Sequence, residues 1–387
     1  MAKLITQLLA LLILFIPSLS CPHHQKQALL HFKASILNAT AYSSNKDMLL
    51  FSFKSWNTTS DCCNWERVHC SSRFDSRTVI ALYLDNLVEL LVLTSTIFTP
   101  LFHIRSLTHL DISLNGIEGE LPGNGWANLS KLVHLDLRWN NFNGSIPSQL
   151  FHLRNLQYLD LKWNSFQGEL PGNNWANLSK LVHLDLFGND FNGSIPSQLF
   201  YLRNLQYLDM SRNSFYGILS EEVGSMKIPK EIWNMTKLKW LYLSENNIFG
   251  EIPSSILNLK ELETLDLSTN KLSMEIPIDI GNLSNITNLD LSNNKLIGTI
   301  PSSIQKLTKL QRLNLENNLL IGEIPSSLFN IKDLEYLFLG DNNLTWNNKA
   351  NIVTKSMLSV LSMNSWSYRR NSILDFYAKD SYNSGLD

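Results

Sequence analysis

The sequence predicts an α/β repeat solenoid: a curved stack of short parallel strands, closed at its front by a disulfide-bonded cap. Three observations carry that expectation. Between Leu107 and Asn342 the pattern Leu-x-x-Leu-x-Leu-x-x-Asn occurs ten times, nearly always at an interval of twenty-four or twenty-five residues. Within each occurrence apolar and polar residues alternate, the period of a half-buried strand. Four cysteines, Cys21, Cys62, Cys63 and Cys70, all precede the first repeat. A unit of this size cannot bury its apolar face alone, so neighbouring units must stack.

Residues 1–20 read as a secretory signal. Lys3 precedes the apolar run Leu8–Ile16, and small Ser18 and Ser20 stand before Cys21. The run is too short to cross a bilayer core of about 30 Å, and no second long apolar run follows. The expectation is an exported chain without an anchor of its own. Residues 21–78 form the cap. Over Gln25–Leu37, Leu29, Leu30, Phe32 and Ile36 have helical spacing, suiting a helix laid over the first repeat. In an exported chain an even number of cysteines reads as disulfides. Adjacent Cys62 and Cys63 have Cα atoms about 3.8 Å apart, below the usual disulfide range. Two pairings survive: Cys21–Cys62 with Cys63–Cys70, or Cys21–Cys63 with Cys62–Cys70. Their spacing does not suit a metal, and none is expected.

Residues 79–345 hold about ten regular units after an irregular first one. In the unit opening at Leu132, Val133–Trp139 alternates as a strand, with Leu135 and Leu137 inward and His134, Asp136 and Arg138 outward. Asn140 ends it. Asparagines in register from Asn115 to Asn342 offer amides that can satisfy the backbone groups freed where each strand bends away. The apolar residue two places on, as in Phe142, Phe166 and Phe191, is expected to fill the core. Gly-x-Ile/Leu-Pro follows, as in Gly144–Pro147 and Gly193–Pro196. Glycine permits a tight bend and proline blocks sheet continuation at its own position. Two units depart. Ser273-Met274 replaces x-Gly, and nine extra residues around Ser220–Met226 are expected as a bulge off the concave face. Residues 346–387 begin a partial repeat at Leu358, place Trp366 where asparagine belongs, and end in a non-repeat tail expected to be frayed.

The consensus LxxLxLxxNxLxGxIPxxLxxLxx resembles the plant-specific, extracellular class of leucine-rich repeat over Val79–Met363. The segment from Cys21 through Trp56 to Asp61-Cys62-Cys63-Asn64-Trp65 resembles the amino-terminal cap of plant leucine-rich repeat receptors. That resemblance implies a horseshoe or superhelix with a parallel concave sheet, and the pairing Cys21–Cys62 with Cys63–Cys70. The cap usually reads Trp-x-Gly-Val-x-Cys, and Arg67 stands here at the glycine position. The family implies a receptor-like protein, here shortened before its membrane anchor. Such a protein recognises a peptide, a protein or a wall-derived oligosaccharide in defence or development, and signals through a partner receptor kinase. Its place is the secretory pathway and then the apoplast, or the plasma membrane where an anchor is present. Polygalacturonase-inhibiting proteins share the repeat and the cap and imply the alternative, a secreted inhibitor of fungal wall-degrading enzymes. They imply a cysteine-closed carboxyl end, which this sequence lacks.

An internal duplication locates the expected contact surface. Residues 119–167 and 168–216 match at forty of forty-nine positions. Four of the nine differences fall at Arg138/Phe187, Trp139/Gly188, Lys162/Ser211 and Trp163/Arg212, read as the last two exposed positions of each strand. Copies that keep their core and change one face mark a surface free to change contacts. Aromatics and arginine dominate binding hot spots. The ligand is therefore expected on Arg138, Trp139, Tyr158, Lys162, Trp163, Phe187, Tyr207, Arg212, Trp240 and Tyr242. Tyr336, Phe338 and Arg312 lie farther along the same face. Ten Asn-x-Ser/Thr sequons offer glycosylation at Asn38, Asn57, Asn128, Asn143, Asn177, Asn192, Asn234, Asn282, Asn285 and Asn343. A net charge of −2 gives no basic footprint for nucleic acid. Asp111, Asp136, Asp160, Asp185 and Asp209 form a column with no unique pair, which reads as solvated rather than as a glycosidase site. His134 and His183 occupy one duplicated position and read as surface histidines. No phosphate loop, nucleophile motif or kinase signature occurs, so neither catalysis nor a cofactor is expected.

Overall fold

The structure is a computed structural model and describes residues 20–41, 46–72, 77–87, 93–172, 174–218 and 235–345. Residues 1–19 of the expected signal segment, the extra residues around Ser220–Met226, Asn234 and everything from residue 346 lie outside the described residues.

Helix α1, His23–Ala39, buries Ala28, Leu29, Phe32 and Ile36 on one face, and a shorter helix α2 covers Lys46–Ser52. Phe32, Phe53, Trp56 and Trp65 form an aromatic core under them, with Trp56 stacked on Trp65 at 5.3 Å. The disulfides are Cys21–Cys62 and Cys63–Cys70, as the resemblance implied. Gln25 couples the cap to the solenoid. Its Oε1 accepts the Val79 N–H at 2.8 Å and its Nε2 donates to Ser106 at 2.8 Å, so this buried amide is satisfied at both ends. Arg67 has a φ of 66°, a region where glycine is preferred. Its guanidinium donates to the carbonyls of Tyr83 and Asp85 at 3.2 and 2.8 Å.

One twelve-stranded sheet lines the concave face. Val68–Cys70 and Val79–Tyr83 pair antiparallel, and every later neighbour is parallel, from His109–Asp111 to Tyr336–Phe338. Each strand is shorter than the alternation suggests. In the unit opening at Leu132 it covers only His134–Asp136. The Asp136 carboxylate accepts the Arg138 N–H at 3.0 Å and Trp139 takes a φ of 53°, so the chain turns where alternation alone would continue it.

The asparagines do what their register predicts. Asn164 donates to the carbonyls of Leu137 and Leu161, both at 3.0 Å, and accepts the Phe142 N–H at 3.0 Å. One amide thus joins two turns. The backs are 3₁₀ turns such as Ser148–His152, so among the described residues α-helix belongs to the cap. Inside, Phe98, Phe142, Phe166, Phe191 and Phe215 form a spine with ring centroids 5.7–6.1 Å apart. Farther along, Ile248, Leu272, Leu296 and Leu320 fill that place.

One feature was not expected from the sequence. The Asn-x-Leu-x-Gly segments pair into lateral sheets beside the concave one. Five strands run from Leu93–Thr94 to Asp190–Asn192, four from Tyr216–Ile218 to Lys295–Ile297, and Ile321–Glu323 pairs with Asn343–Thr345. The strand Tyr207–Asp209 pairs in register with Trp240–Tyr242, so the longer interval between them is absorbed outside the concave sheet, as expected.

Candidate functional site

The first outward position of successive concave strands holds His109, His134, Tyr158, His183 and Tyr207. Parallel strands in register set like positions about 4.8 Å apart, and these rings stack at 5.7, 4.1, 4.3 and 4.3 Å. His134 and His183 are therefore half-buried links in a ring ladder, not the surface histidines expected. Burial, then the neighbouring charges of His109 and Arg138, lowers the His134 pKa to about 4. Burial, then Lys162, lowers that of His183 to about 3. Both imidazoles stay neutral at physiological pH. The ladder loosens at the next strand, where Trp240 and Tyr242 lie tilted 6.4 and 5.8 Å from Tyr207.

The aspartate column is not solvated. Asp136, Asp160, Asp185 and Asp209 are buried, and Asp111 at the start of the column is half-buried. Each accepts the backbone N–H two residues on, at 2.8–3.0 Å. Tyr158 and Tyr207 donate to Asp160 and Asp209 at 3.2 and 3.4 Å. Two cations serve the column. Arg138 lies 3.4 Å from Asp136 and 3.9 Å from Asp160, and Lys162 lies 3.6 Å from Asp160 and 3.3 Å from Asp185. Burial disfavours the charged carboxylates and outweighs these partners. The Asp136 pKa rises to about 7 through burial and then the nearby Asp160. Burial also lifts Asp209 to about 7. The ligand atoms of Asp160, His183 and Asp185 lie within 4.8 Å of one another, which could suit a metal ion. The Lys162 ammonium already bridges both carboxylates there.

Beyond the column, Trp139 and Trp163 stack at 5.0 Å along the rim, and Trp139 is 47% exposed. Phe187 was expected on the surface and is only 7% exposed. Trp163 meets its edge at 5.1 Å, and the Arg212 guanidinium lies 5.5 Å above its ring and 5.9 Å from Trp163. Arg212 also pairs with Glu245 at 2.8 Å. Ser211, the counterpart of Lys162, is buried as well. The duplicated copy thus keeps the acids and replaces both cations with uncharged, buried side chains.

Of the expected contact residues, Arg138, Trp139, Tyr158, Lys162, Trp163, Tyr207 and Arg212 share one continuous surface on adjoining strands, with Phe187 beneath it. Trp240 and Tyr242 adjoin it, and Lys239 lies 5.6 Å over the Trp240 ring. Arg312 and Phe338 form a separate contact at 4.9 Å, farther along the sheet. Among the sequons, Asn38, Asn57, Asn128, Asn143, Asn192, Asn282 and Asn343 are exposed, and Asn177 and Asn285 are half-buried. Sequence reasoning missed a second surface. Tyr216, Phe249, Met274, Ile297, Leu319 and Ile321 lie on the lateral sheets or at their margin and are 42–56% exposed. A signal was available at the residue between leucine and glycine in each turn.

Stacked turns, an asparagine ladder and a disulfide-bonded cap define a solenoid with one continuous concave sheet. The chain belongs to the leucine-rich repeat family. A model described as leucine rich repeat N-terminal domain matches residues 22–71. Leucine-rich repeat models match 103–120, 131–153, 155–176, 180–202, 204–226, 237–259, 261–283, 285–307 and 309–331. The chain is similar to Receptor-like protein 46 of Arabidopsis thaliana, with 40% identity over 143 residues, 35% of this chain and 17% of that protein. It spans less than a fifth of the curated relatives it matches. Its fold is similar to the ectodomain of the Arabidopsis thaliana membrane receptor kinase GASSHO1/SCHENGEN3, solved with CASPARIAN STRIP INTEGRITY FACTOR 2. There the TM-score is 0.71 at 34% identity, covering 82% of this chain and 36% of that one. The Arabidopsis receptor kinase HAESA, solved with the peptide hormone IDA and the co-receptor SERK1, gives 0.69 at 31%, covering 81% and 50%. Among the described residues no helix is long and apolar enough to cross a membrane.

Proposed function

We propose that this chain is an extracellular, non-catalytic ligand-recognition protein of the plant receptor-like type. It binds a peptide or a segment of a protein along the concave face between Arg138 and Tyr242, and passes the signal to a partner receptor kinase. The observation that carries this reading is the rim itself. The exposed Trp139 stacked on a half-buried Trp163, Arg212 and the cations Arg138 and Lys162 are gathered on adjoining strands by a scaffold that does not need them for stacking. The HAESA complex, with its peptide hormone and co-receptor, supports the same arrangement by similarity.

A peptide fits this face better than an oligosaccharide. The ladder rings face one another, with interplanar angles of 8–23° from His109 to Tyr207. A ligand therefore meets ring edges, which are electropositive and suit backbone carbonyls, beside polar tips that can pair with peptide groups. Flat ring faces for sugar stacking are mostly covered. In a screen of secreted plant peptides, Trp163→Ala is expected to weaken binding of the selected peptide by about 1–4 kcal/mol. Equal affinity in the variant and its parent would move the contact off this rim. Loss of fungal polygalacturonase activity on adding the chain, with no peptide selected, would replace the receptor reading with the inhibitor one.

A further inference from the structure

The lateral sheets change character midway along the solenoid. At the residue between leucine and glycine, the earlier turns carry Glu118, Asn143, Gln167 and Asn192. The later ones carry Tyr216, Phe249, Ser273, Ile297 and Ile321. Asn143 and Asn192 open Asn-Gly-Ser sequons, whereas no sequon falls on an outward lateral position from Tyr216 to Glu323. Met274 and Leu319 widen the later stretch, and all its large apolar members are exposed. Contiguous exposed apolar surface of this kind marks an interaction site.

The margins of the stripe are charged, with opposite signs on opposite sides. Lys271 and Lys295 stand where their lateral strands begin. Glu251, Glu275 and Glu323 stand at the other end, one place beyond the position of the turn glycine. Phe249 lies directly across from Lys271, and Ile297 directly across from Glu275. None of these five charges has an ion-pair partner among the described residues.

We propose that this stripe is a self-association face, on which a second copy of the chain docks about a two-fold axis running along the solenoid. Rotation about that axis lays stripe on stripe and brings the lysine margin of one copy opposite the glutamate margin of the other. A two-fold axis across the solenoid would set lysine against lysine. An isologous contact requires self-complementarity of this kind. From Tyr216 to Ile321 the stripe crosses four strand steps, about 19 Å. A stripe this short falls at the small end of specific interfaces, so the dimer is weak and transient. The inference does not depend on the concave face binding a peptide.

Sedimentation velocity of the secreted, glycosylated full chain between about 1 and 200 µM tests it. The parent is expected to pass from monomer to dimer across that range. Phe249→Asp with Ile297→Asp is expected to remain monomeric at the highest concentration. Lys271→Glu alone sets like charges face to face and weakens the dimer about tenfold, and adding Glu275→Lys restores it. These side chains are at the surface, and unchanged melting and secretion verify that the variants fold. A parent that stays monomeric, a dimer indifferent to the paired aspartates, or a charge swap that fails to restore association overturns the proposal. Capture of a different protein on the stripe by a parent that remains monomeric overturns it too.

Discussion

The turns from Leu107 to Asn213 and those from Leu238 to Asn342 keep the same leucines and asparagines and differ in what surrounds them. The earlier turns have a phenylalanine spine, a concave face of rings and cations, and polar lateral positions with two sequons. The later turns have an aliphatic core, small polar residues such as Thr264, Ser268, Asn288 and Ser292 on the concave face, and apolar lateral positions. Apolar character has moved from one outward face to another while the frame stayed put. Stacking rests on leucine contacts and on amides such as Asn164 and Asn294, which make the same bonds in both halves. Outward columns are thus free to specialise separately, and the two halves differ in which outward face is apolar.

Three measurements can break or sharpen this contrast. The largest effect is expected in the core. Phe166→Ala opens a cavity in the ring spine and should cost about 3–5 kcal/mol, with Leu296→Ala, at the same place in a later turn, near the low end of about 2–5 kcal/mol. Chemical unfolding measures both, and equal losses would mean the spine adds nothing specific to the earlier half.

The second effect concerns the buried acids. In Asp136 and Asp209 the folded pKa is raised from an ordinary 3.8 to about 7. The folded chain therefore binds more protons than the unfolded one, and the associated stability is lost as pH rises through 7. His134 and His183, held low, act in the opposite sense, an effect that fades out over about one pH unit above their unfolded value near 6.5. Between pH 6.5 and 8 the carboxyls outweigh the fading histidine effect, and unfolding free energy is expected to fall by about 1 kcal/mol net. Asp209→Asn should flatten that slope, and an unchanged slope would place the protons elsewhere. The smallest effect lies at Met274, whose φ of 69° suits glycine. Met274→Gly should raise the unfolding free energy by about 0.5–1 kcal/mol. A lower melting temperature would show that the methionine side chain holds the later half together.

The frame was legible because it repeats. A period of twenty-four or twenty-five residues sets the stacking, and alternation gives each side chain a direction. The helix over Gln25–Leu37 and the core places of Phe142, Phe166 and Phe191 followed from the same reasoning. Depth was not legible. Whether an outward residue is exposed depends on neighbours one turn away, and so Phe187 and the aspartates were misplaced. Phe187 looks like the counterpart of Arg138 in sequence, yet Trp163 and Arg212 cover it from adjacent turns. The strand end was misread for a related reason. An aspartate that accepts the N–H two residues on turns the chain while the alternation continues. The lateral stripe was not legible from strand alternation, because it lies beyond the concave strand, although Tyr216, Phe249, Ile297 and Ile321 stand in one column of the repeat.

The in-register pairing of Tyr207–Asp209 with Trp240–Tyr242 makes the concave face a ruler graduated in turns, not in residues. His134 and Trp240 are four strand steps apart, about 19 Å, whatever length of chain each back carries. A sequence inserted behind the sheet leaves that scale unchanged, and so does a back that is shortened. Distances across this surface are inherited from the ladder, and only the marks on it are rewritten.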